Sequence, residues 1–500
     1  MLFNSSTFLV FVLLTFLIYY NPKLRTIQVP ILVVASFIFY AWSSPALLIL
    51  LVISILINAV VSFKVANASY REKLVWALGG VAVNLLILSL FKYGALLTNF
   101  FVDTFQASNK PEAGIVYLLL HLPLPVGISF YTFEGISLLV DVLRQPTKGA
   151  EDASSTQTSY VDGNLTNHII NTSFFVAFFP HLIAGPILKA KSFYPQIGIK
   201  YFRDIPWNFV FRTVVVGYFL KMVIADNLKD YTYWITYPYY QGLGTVTNLV
   251  LLFGYSMQIF ADFAGYSLIA IGVAAAFGYQ LPDNFNFPYI SCSIAEFWRR
   301  WHISLSTWLR DYLYFPLGGN RKGKARTYIN LMIVMTLGGL WHGAAWSYAV
   351  WGIFHGVGLA IERFLGLEKS NEQTSPSIPI WKQFFFDLIK VIFVFCFVSL
   401  GWLLFKLPNF GEAMDFLATL VRNVKVAPGL TYIVPVLIFS LPVVVYHIPH
   451  FPTFRNRQTE DLAKPKSLLW SVGKDIALGI MLVLLFLNSG SSQEFIYFQF

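Results

Sequence analysis

The chain has 500 residues, of which 56% are hydrophobic and 12% charged, with a net charge of +10. Soluble globular chains carry about 25% charged residues, so this composition excludes a soluble enzyme and points to a polytopic membrane protein. Basic residues collecting on cytoplasmic loops account for the positive balance, so membrane lipid is an expected partner and nucleic acid is not.

A membrane helix needs about 20 apolar residues, with roughly 17–25 the usual range. The first run, near residues 6–20, has no basic segment before it and no small-residue cleavage site after it, and reads as a retained span rather than a signal peptide. Further spans are expected near 28–42, 46–63, 75–91, 113–143, 168–186, 206–226, 246–280, 327–362, 383–406, 431–447 and 474–488. Several of these are too long for one crossing, which gives about eleven to thirteen membrane helices, some re-entrant. Loop 21–27 holds Lys23 and Arg25, and loop 64–74 holds Lys64, Arg71 and Lys73, while the short stretch between the spans they bracket holds no charge. That alternation places the N-terminus outside the cytoplasm. Arg455, Arg457, Lys464, Lys466 and Lys474 place 448–474 inside, so the tail SSQEFIYFQF is delivered outside.

Between the spans, 145–167 is a flexible polar loop by composition and 366–382 is similar. FGEAMDFLATLVRNV, 410–424, has helical apolar periodicity and is expected to lie at the membrane interface. Cys292 and Cys396 supply neither a disulfide framework nor a metal cluster and are expected to be packing residues. Residues 1–500 read as one integral domain.

One segment departs from the apolar background: FWRRWHISLSTWLRDYLYFPLGGNR, 297–321. As a continuous helix it sorts Phe297, Trp301, Leu305, Trp308 and Tyr312 onto one face. Arg299, His302, Ser306 and Arg310 fall on the other. An interfacial helix with its arginines among lipid headgroups fits this pattern, and so does a helix lining a water-filled cavity. Pattern alone leaves both open.

From Thr327 to Ile361 there is no Asp, Glu, Lys or Arg, and the run contains GGLWHGAAW with His342. As one helix, 35 residues would span ~53 Å against a hydrocarbon core of about 30 Å. The run must tilt, protrude or break, with Gly338, Gly339 and Gly343 as the weak points. An ionisable group inside apolar sequence is costly and suggests function, although a neutral histidine hydrogen-bonded between helices is the plainer alternative and suits His355 better. His302 and His342 have no third ligand at a recognisable spacing, so no metal is expected. A neutral imidazole can act as a general base toward a hydroxyl or thiol.

Together, FWRRWHISLSTWLRDYLYFPLGGNR and LGGLWHGAAWSYAVWGIFHG resemble the membrane-bound O-acyltransferase (MBOAT) family, in its bacterial alginate O-acetyltransferase branch. LPVGISFYTFEGISLLVDVLR, FFVAFFPHLIAGPIL, FADFAGYSLIAIG and the tail EFIYFQF support the same resemblance, which runs from about residue 120 to the C-terminus. Three positions depart from that branch: Leu268 replaces an acidic residue, Cys292 an arginine and His181 a glutamine.

The resemblance implies an all-α MBOAT-type bundle around a central tunnel, with the catalytic motif region at 284–345. His342 is then the catalytic base, and His302 positions or activates the acyl donor or donates to the oxyanion. Arg299, Arg300, Ser306 and Arg310 are candidates for meeting the donor. Trp298, Trp301, Asp311, Asn320 and Trp341 are candidates for lining the tunnel. The implied reaction carries an acetyl group from a cytoplasmic thioester, acetyl-CoA or another acyl thioester, with no bound cofactor, toward an extracytoplasmic polysaccharide such as alginate. A periplasmic esterase-like acetyltransferase would be the partner, and the location would be the bacterial inner membrane. D-alanyl transfer from a carrier protein to teichoic acid, and a non-catalytic acyl or lipid translocator, are the alternatives.

Overall fold

The structure, a computed structural model, describes residues 1–42, 45–104, 117, 122–145, 160–367, 379–453 and 468–490. Most of the expected polar loops at 145–167 and 366–382, and the whole tail from 491, lie outside the described residues. The chain divides into two compact units, Met1–Phe211 with Ala270–Pro282, and Arg212–Ile269 with Asp283–Phe500. Among the described residues the regular structure is helical, with no strand. Seven helical stretches there are long and apolar enough to cross a membrane: Pro22–Ala41, Pro45–Asn67, Tyr70–Phe100, Trp207–Ile235, Thr245–Ala276, Trp381–Lys406 and Leu430–His450. Ser6–Tyr19 is apolar but shorter.

The first unit contains α1 (Ser6–Tyr19), α2 (Gln28–Ala41), α3 (Pro45–Asn67), α4 (Tyr70–Leu88), α5 (Gly94–Thr104), α6 (Ile128–Arg144) and α7 (Leu165–Ala177). Hydropathy cannot tell a lipid-facing row from a packed one, because lipid tails are as apolar as leucine. Polar residues make the distinction. On α3, Ser54, Asn58 and Ser62 recur every four residues and all are buried, whereas Ile49 and Ile53 are exposed. The Asn58 and Asn84 side-chain amides donate to each other across α3 and α4, at 3.2 and 2.9 Å. Gly135 lets α6 approach this pair, since a Cβ there would meet the Asn58 amide at 2.5 Å. Farther along, His181 Nε2 lies 3.0 Å from Glu134 Oε1, with both side chains fully buried.

The second unit is reached along α8 (Trp207–Tyr218), which passes through a π-helical turn, Phe219–Ala225, into α9 (Asp226–Thr232). Lys221 in that turn lies 2.7 Å from Asp226 and 2.6 Å from Asp262. α10 (Thr245–Ala276) carries Asp262, and 94% of its apolar window is buried, so protein rather than lipid surrounds it. Next come α11 (Ile294–Arg300), α12 (Ile303–Leu309), α13 (Lys324–His342), α14 (Trp346–Phe364), α15 (Ile380–Lys406), α16 (Phe410–Arg422), α17 (Leu430–His447) and α18 (Leu468–Leu487).

The uncharged run 327–361 breaks, as its length requires, and the break falls at Gly343 between α13 and α14. Gly338 and Gly339 remain helical. Gly339 makes close contact possible: a Cβ would lie 2.2 Å from the Tyr348 carbonyl oxygen, and a Cβ on Gly352 would lie 2.3 Å from that of Met335. α13 and α14 therefore form a tight hairpin seamed by small residues, with His342 as the last residue of its first arm.

Candidate active site

The continuous helix expected from residue 297 onward does not form. α11 ends at Arg300, Trp301 is extended, and His302 takes a left-handed backbone conformation with φ 43° before α12 begins. A non-glycine residue there is uncommon and signals a local constraint. Segment 284–286 supplies it. The Asn286 backbone N–H donates to the Arg300 carbonyl at 2.9 Å, and that of Ile303 donates to the Asn284 carbonyl at 2.9 Å. The break is thus stapled on both sides of His302.

Asn284 also orients the ring. Its amide nitrogen donates to Ser267 Oγ at 3.0 Å, which turns Oδ1 toward the break. Oδ1 accepts from Ser304 Oγ at 2.6 Å and lies 3.2 Å from His302 Nδ1. An amide oxygen only accepts, so Nδ1 carries the proton and Nε2 is the lone-pair nitrogen. His302 lies outside the seven candidate spans and is fully buried, and burial pushes its pKa down to about 3. The ring is neutral at physiological pH. In that form its one N–H is committed to Asn284, so the expected donation from His302 to an oxyanion would require a protonated ring.

The His302 and His342 rings lie 6.4 Å apart between centroids. Trp341 touches both, at 5.8 Å from His302 and 5.1 Å from His342. His342 is also enclosed by Trp351 and Phe405, each at 5.2 Å. It differs from His302 in access. His342 lines a cavity of about 170 Å³ together with Trp298, Ser306, Leu309, Gly338 and Trp351, whereas His302 does not. The cavity has the size of a small group rather than a long chain, and its wall is mostly carbon. Such a wall strengthens any electrostatic contact made inside it.

The other expected site residues separate. Ser306 and Trp298 face the cavity. Trp301 is 1% exposed and lies against Phe297 and Trp402, so it is core. Arg300 is buried and bound to Glu296 one turn back at 2.8 Å and to the Asn286 carbonyl at 2.9 Å. Arg310 is half-exposed and pairs with the buried Asp311 at 2.9 Å. Arg299 and Asn320 are exposed. The expected cationic stripe is therefore divided by the break: His302 turns inward, as does Arg300 beside it, while Arg299 and Arg310 stay at the surface.

Sequence reasoning missed Asn284, Trp351 and Phe405. A polar residue in DNFNFP ahead of the arginine-rich segment was the available signal for Asn284; the two aromatic residues carried none. His355, for which a hydrogen bond between helices was the plain expectation, has no hydrogen-bond partner among the described residues on either nitrogen. It sits among Trp298, Trp351, Phe354 and Phe397. Among the described residues no group of three or more His, Cys, Asp or Glu side chains could hold a metal ion.

The membrane-bound O-acyltransferase (MBOAT) family model matches residues 113–405. A probable alginate O-acetylase AlgI of Pseudomonas putida is 40% identical over 414 residues, covering 82% of this chain and 78% of the relative. A peptidoglycan O-acetyltransferase of Helicobacter pylori is 34% identical over 415 residues, covering 78% and 73%. A teichoic acid D-alanyltransferase of Bacillus subtilis is 28% identical over 292 residues, covering 56% and 68%.

Proposed function

The chain belongs to the membrane-bound O-acyltransferase family, and from that premise we propose that it moves an acetyl group from cytoplasmic acetyl-CoA to an extracytoplasmic polysaccharide of the alginate type. The observation that carries this reading is His342 on the wall of a small, carbon-lined cavity, with a second, neutral histidine fixed behind it.

His342 removes the proton from the acceptor hydroxyl as its oxygen attacks the thioester carbonyl carbon. The tetrahedral intermediate collapses with cleavage of the C–S bond, and the leaving thiolate takes the proton back from His342. Protons balance and no cofactor is consumed. His302, held by Asn284, acts as a positioning residue that packs with Trp341 behind His342. Ser306 and Trp298 border the acyl group, Asp311 holds Arg310, and the exposed Arg299 and Arg310 meet the donor phosphates. Arg300 and Trp301 build the fold under the site, and Asn320 belongs to the exposed turn beyond it.

Loop charges favour an inner-membrane protein with both termini extracytoplasmic. The outward tail is then a docking point for a periplasmic esterase-like partner. The 28% identity to a D-alanyltransferase keeps D-alanyl transfer from a carrier protein as the second reading. Purified protein in nanodiscs, given acetyl-labelled CoA and an oligouronate, tests the choice. Label on the acceptor hydroxyls is expected; label transferred only from a D-alanyl carrier would replace the reading with the second one.

A further inference from the structure

Attack on a thioester carbonyl turns its oxygen into an oxyanion, and a donor placed beside that oxygen lowers the barrier to the chemical step. His302 does not supply the donor, since its one N–H is committed to Asn284. The wall of the His342 cavity is mostly carbon, from residues such as Leu305, Leu309, Val334 and Met335. Trp298 and Trp351 bring indole N–H groups to it, but both nitrogens are buried, and that of Trp351 lies 3.4 Å from where a Cβ on Gly401 would stand. Among the described residues Ser306 carries the one hydroxyl on this wall.

Two fixed contacts locate Ser306 against His342. At the start of α12 the His302 ring lies 6.4 Å from that of His342. At its end Leu309 reaches α13 at Gly338, where a Cβ would lie 3.1 Å from Leu309 Cδ1. The two helices therefore run antiparallel here, and Ser306, between residues 302 and 309, lies opposite the turn from Gly338 to His342. Its neighbours are committed elsewhere. The Ser304 hydroxyl donates to Asn284 Oδ1 at 2.6 Å, and that of Thr307 donates to the Ser304 carbonyl at 3.1 Å. The Ser306 hydroxyl donates to the Trp301 carbonyl at 3.3 Å, beyond the usual range of about 2.5–3.0 Å for an O–H···O bond. Ser306 is also only half-buried, so its hydroxyl can turn from that weak acceptor to a stronger one.

We propose that the Ser306 hydroxyl is the oxyanion donor of the transfer reaction, turning from the Trp301 carbonyl onto the thioester oxygen of the bound donor. This rests on the acyltransfer reading above and adds a catalytic residue to it. No bond to Ser306 forms and its proton stays on Oγ, while His342 alone carries the proton from the acceptor hydroxyl to the leaving thiolate. A charged oxygen is a stronger acceptor than a neutral carbonyl. The contact therefore tightens as charge develops and favours the transition state over the bound donor.

The test is infrared difference spectroscopy of carbonyl-labelled acetyl-CoA bound to the full-length protein in nanodiscs without acceptor, alongside steady-state kinetics. A hydrogen bond lowers the stretching frequency of a carbonyl, so wild type is expected to shift the thioester band below its position in solution. Ser306→Ala should return the band to the solution position and lower kcat about 10²–10³-fold with little change in KM. Ser306→Thr keeps the hydroxyl and should retain the shift and most of the rate. His342→Ala should leave the band shifted, which separates the hydroxyl from the base. A bound but unshifted band in wild type, a shift that survives Ser306→Ala, or an acetyl group found on Ser306 by mass spectrometry would overturn the assignment alone. No bound-donor band at all would overturn the acetyl-CoA reading and the assignment with it.

Discussion

Asn284 Oδ1 stands between the Ser304 hydroxyl, at 2.6 Å, and the Nδ1 of His302, at 3.2 Å, so a residue eighteen positions upstream sets the tautomer of the first motif histidine. Asn284→Leu should remove both partnerships at once. A buried hydrogen-bonding group left unsatisfied costs ~1–3 kcal/mol, so a lower unfolding midpoint and a lower transfer rate are expected. Asn284→Asp keeps the acceptor and adds a negative charge, which favours the imidazolium. Its pH–rate profile should shift upward relative to wild type, a change that a merely structural asparagine would not produce.

The backbone at His302 and its ring are separable. Glycine adopts positive φ without the steric cost that other residues meet, ~1–2 kcal/mol. His302→Gly should therefore unfold at a higher temperature than His302→Ala, while both lose transfer activity. Equal midpoints would show that the left-handed conformation is not retained in solution.

Burial of His302 also fixes a pH dependence. Its folded pKa, about 3, lies below the ordinary value of 6.5. The unfolded chain therefore binds more protons between those values, and stability falls as pH drops through that window. His302→Gln should flatten the fall between pH 6.5 and 5 when unfolding midpoints of the two proteins are compared.

Gly338 and Gly339 sit side by side on α13 but answer to different constraints. At Gly339 a Cβ would strike the Tyr348 carbonyl at 2.2 Å, whereas at Gly338 the nearest atom is the flexible Leu309 Cδ1 at 3.1 Å. Gly339→Ala should part the hairpin and cost about 1–3 kcal/mol. Gly338→Ala should leave the unfolding midpoint nearly unchanged yet raise KM, because Gly338 borders the cavity. Thermal unfolding and steady-state kinetics on the pair separate the two effects.

Lys221→Met would strand two buried carboxylates, and breaking such a cluster typically costs 3–5 kcal/mol. The triple variant with Asp226→Asn and Asp262→Asn should recover most of that loss by chemical or thermal unfolding. No recovery would show that the cluster contributes something other than charge balance.

Much of this was readable from the residues. Charge content gave the membrane class, the length of 327–361 required the break seen at Gly343, and Phe297, Trp301, Leu305, Trp308 and Tyr312 are all buried as their periodicity demanded. The cationic stripe was misread because a helical wheel assumes continuous helix, and nothing local in RWHIS announces a left-handed histidine. That conformation is imposed by backbone hydrogen bonds from 284–286, a nonlocal cause. Which apolar rows face lipid was also hidden, since leucine suits both environments, and only Ser54, Asn58 and Ser62 marked the packed side of α3.

The central claim is that His342 is the base. Acetyl transfer from labelled acetyl-CoA should be measured for His342→Ala and wild type in nanodiscs, with unfolding midpoints in parallel. Loss of a general base typically costs about 10²–10⁴-fold in rate, and a fall of that size at an unchanged midpoint is the expected result. A variant that still transfers at the wild-type rate would contradict the account.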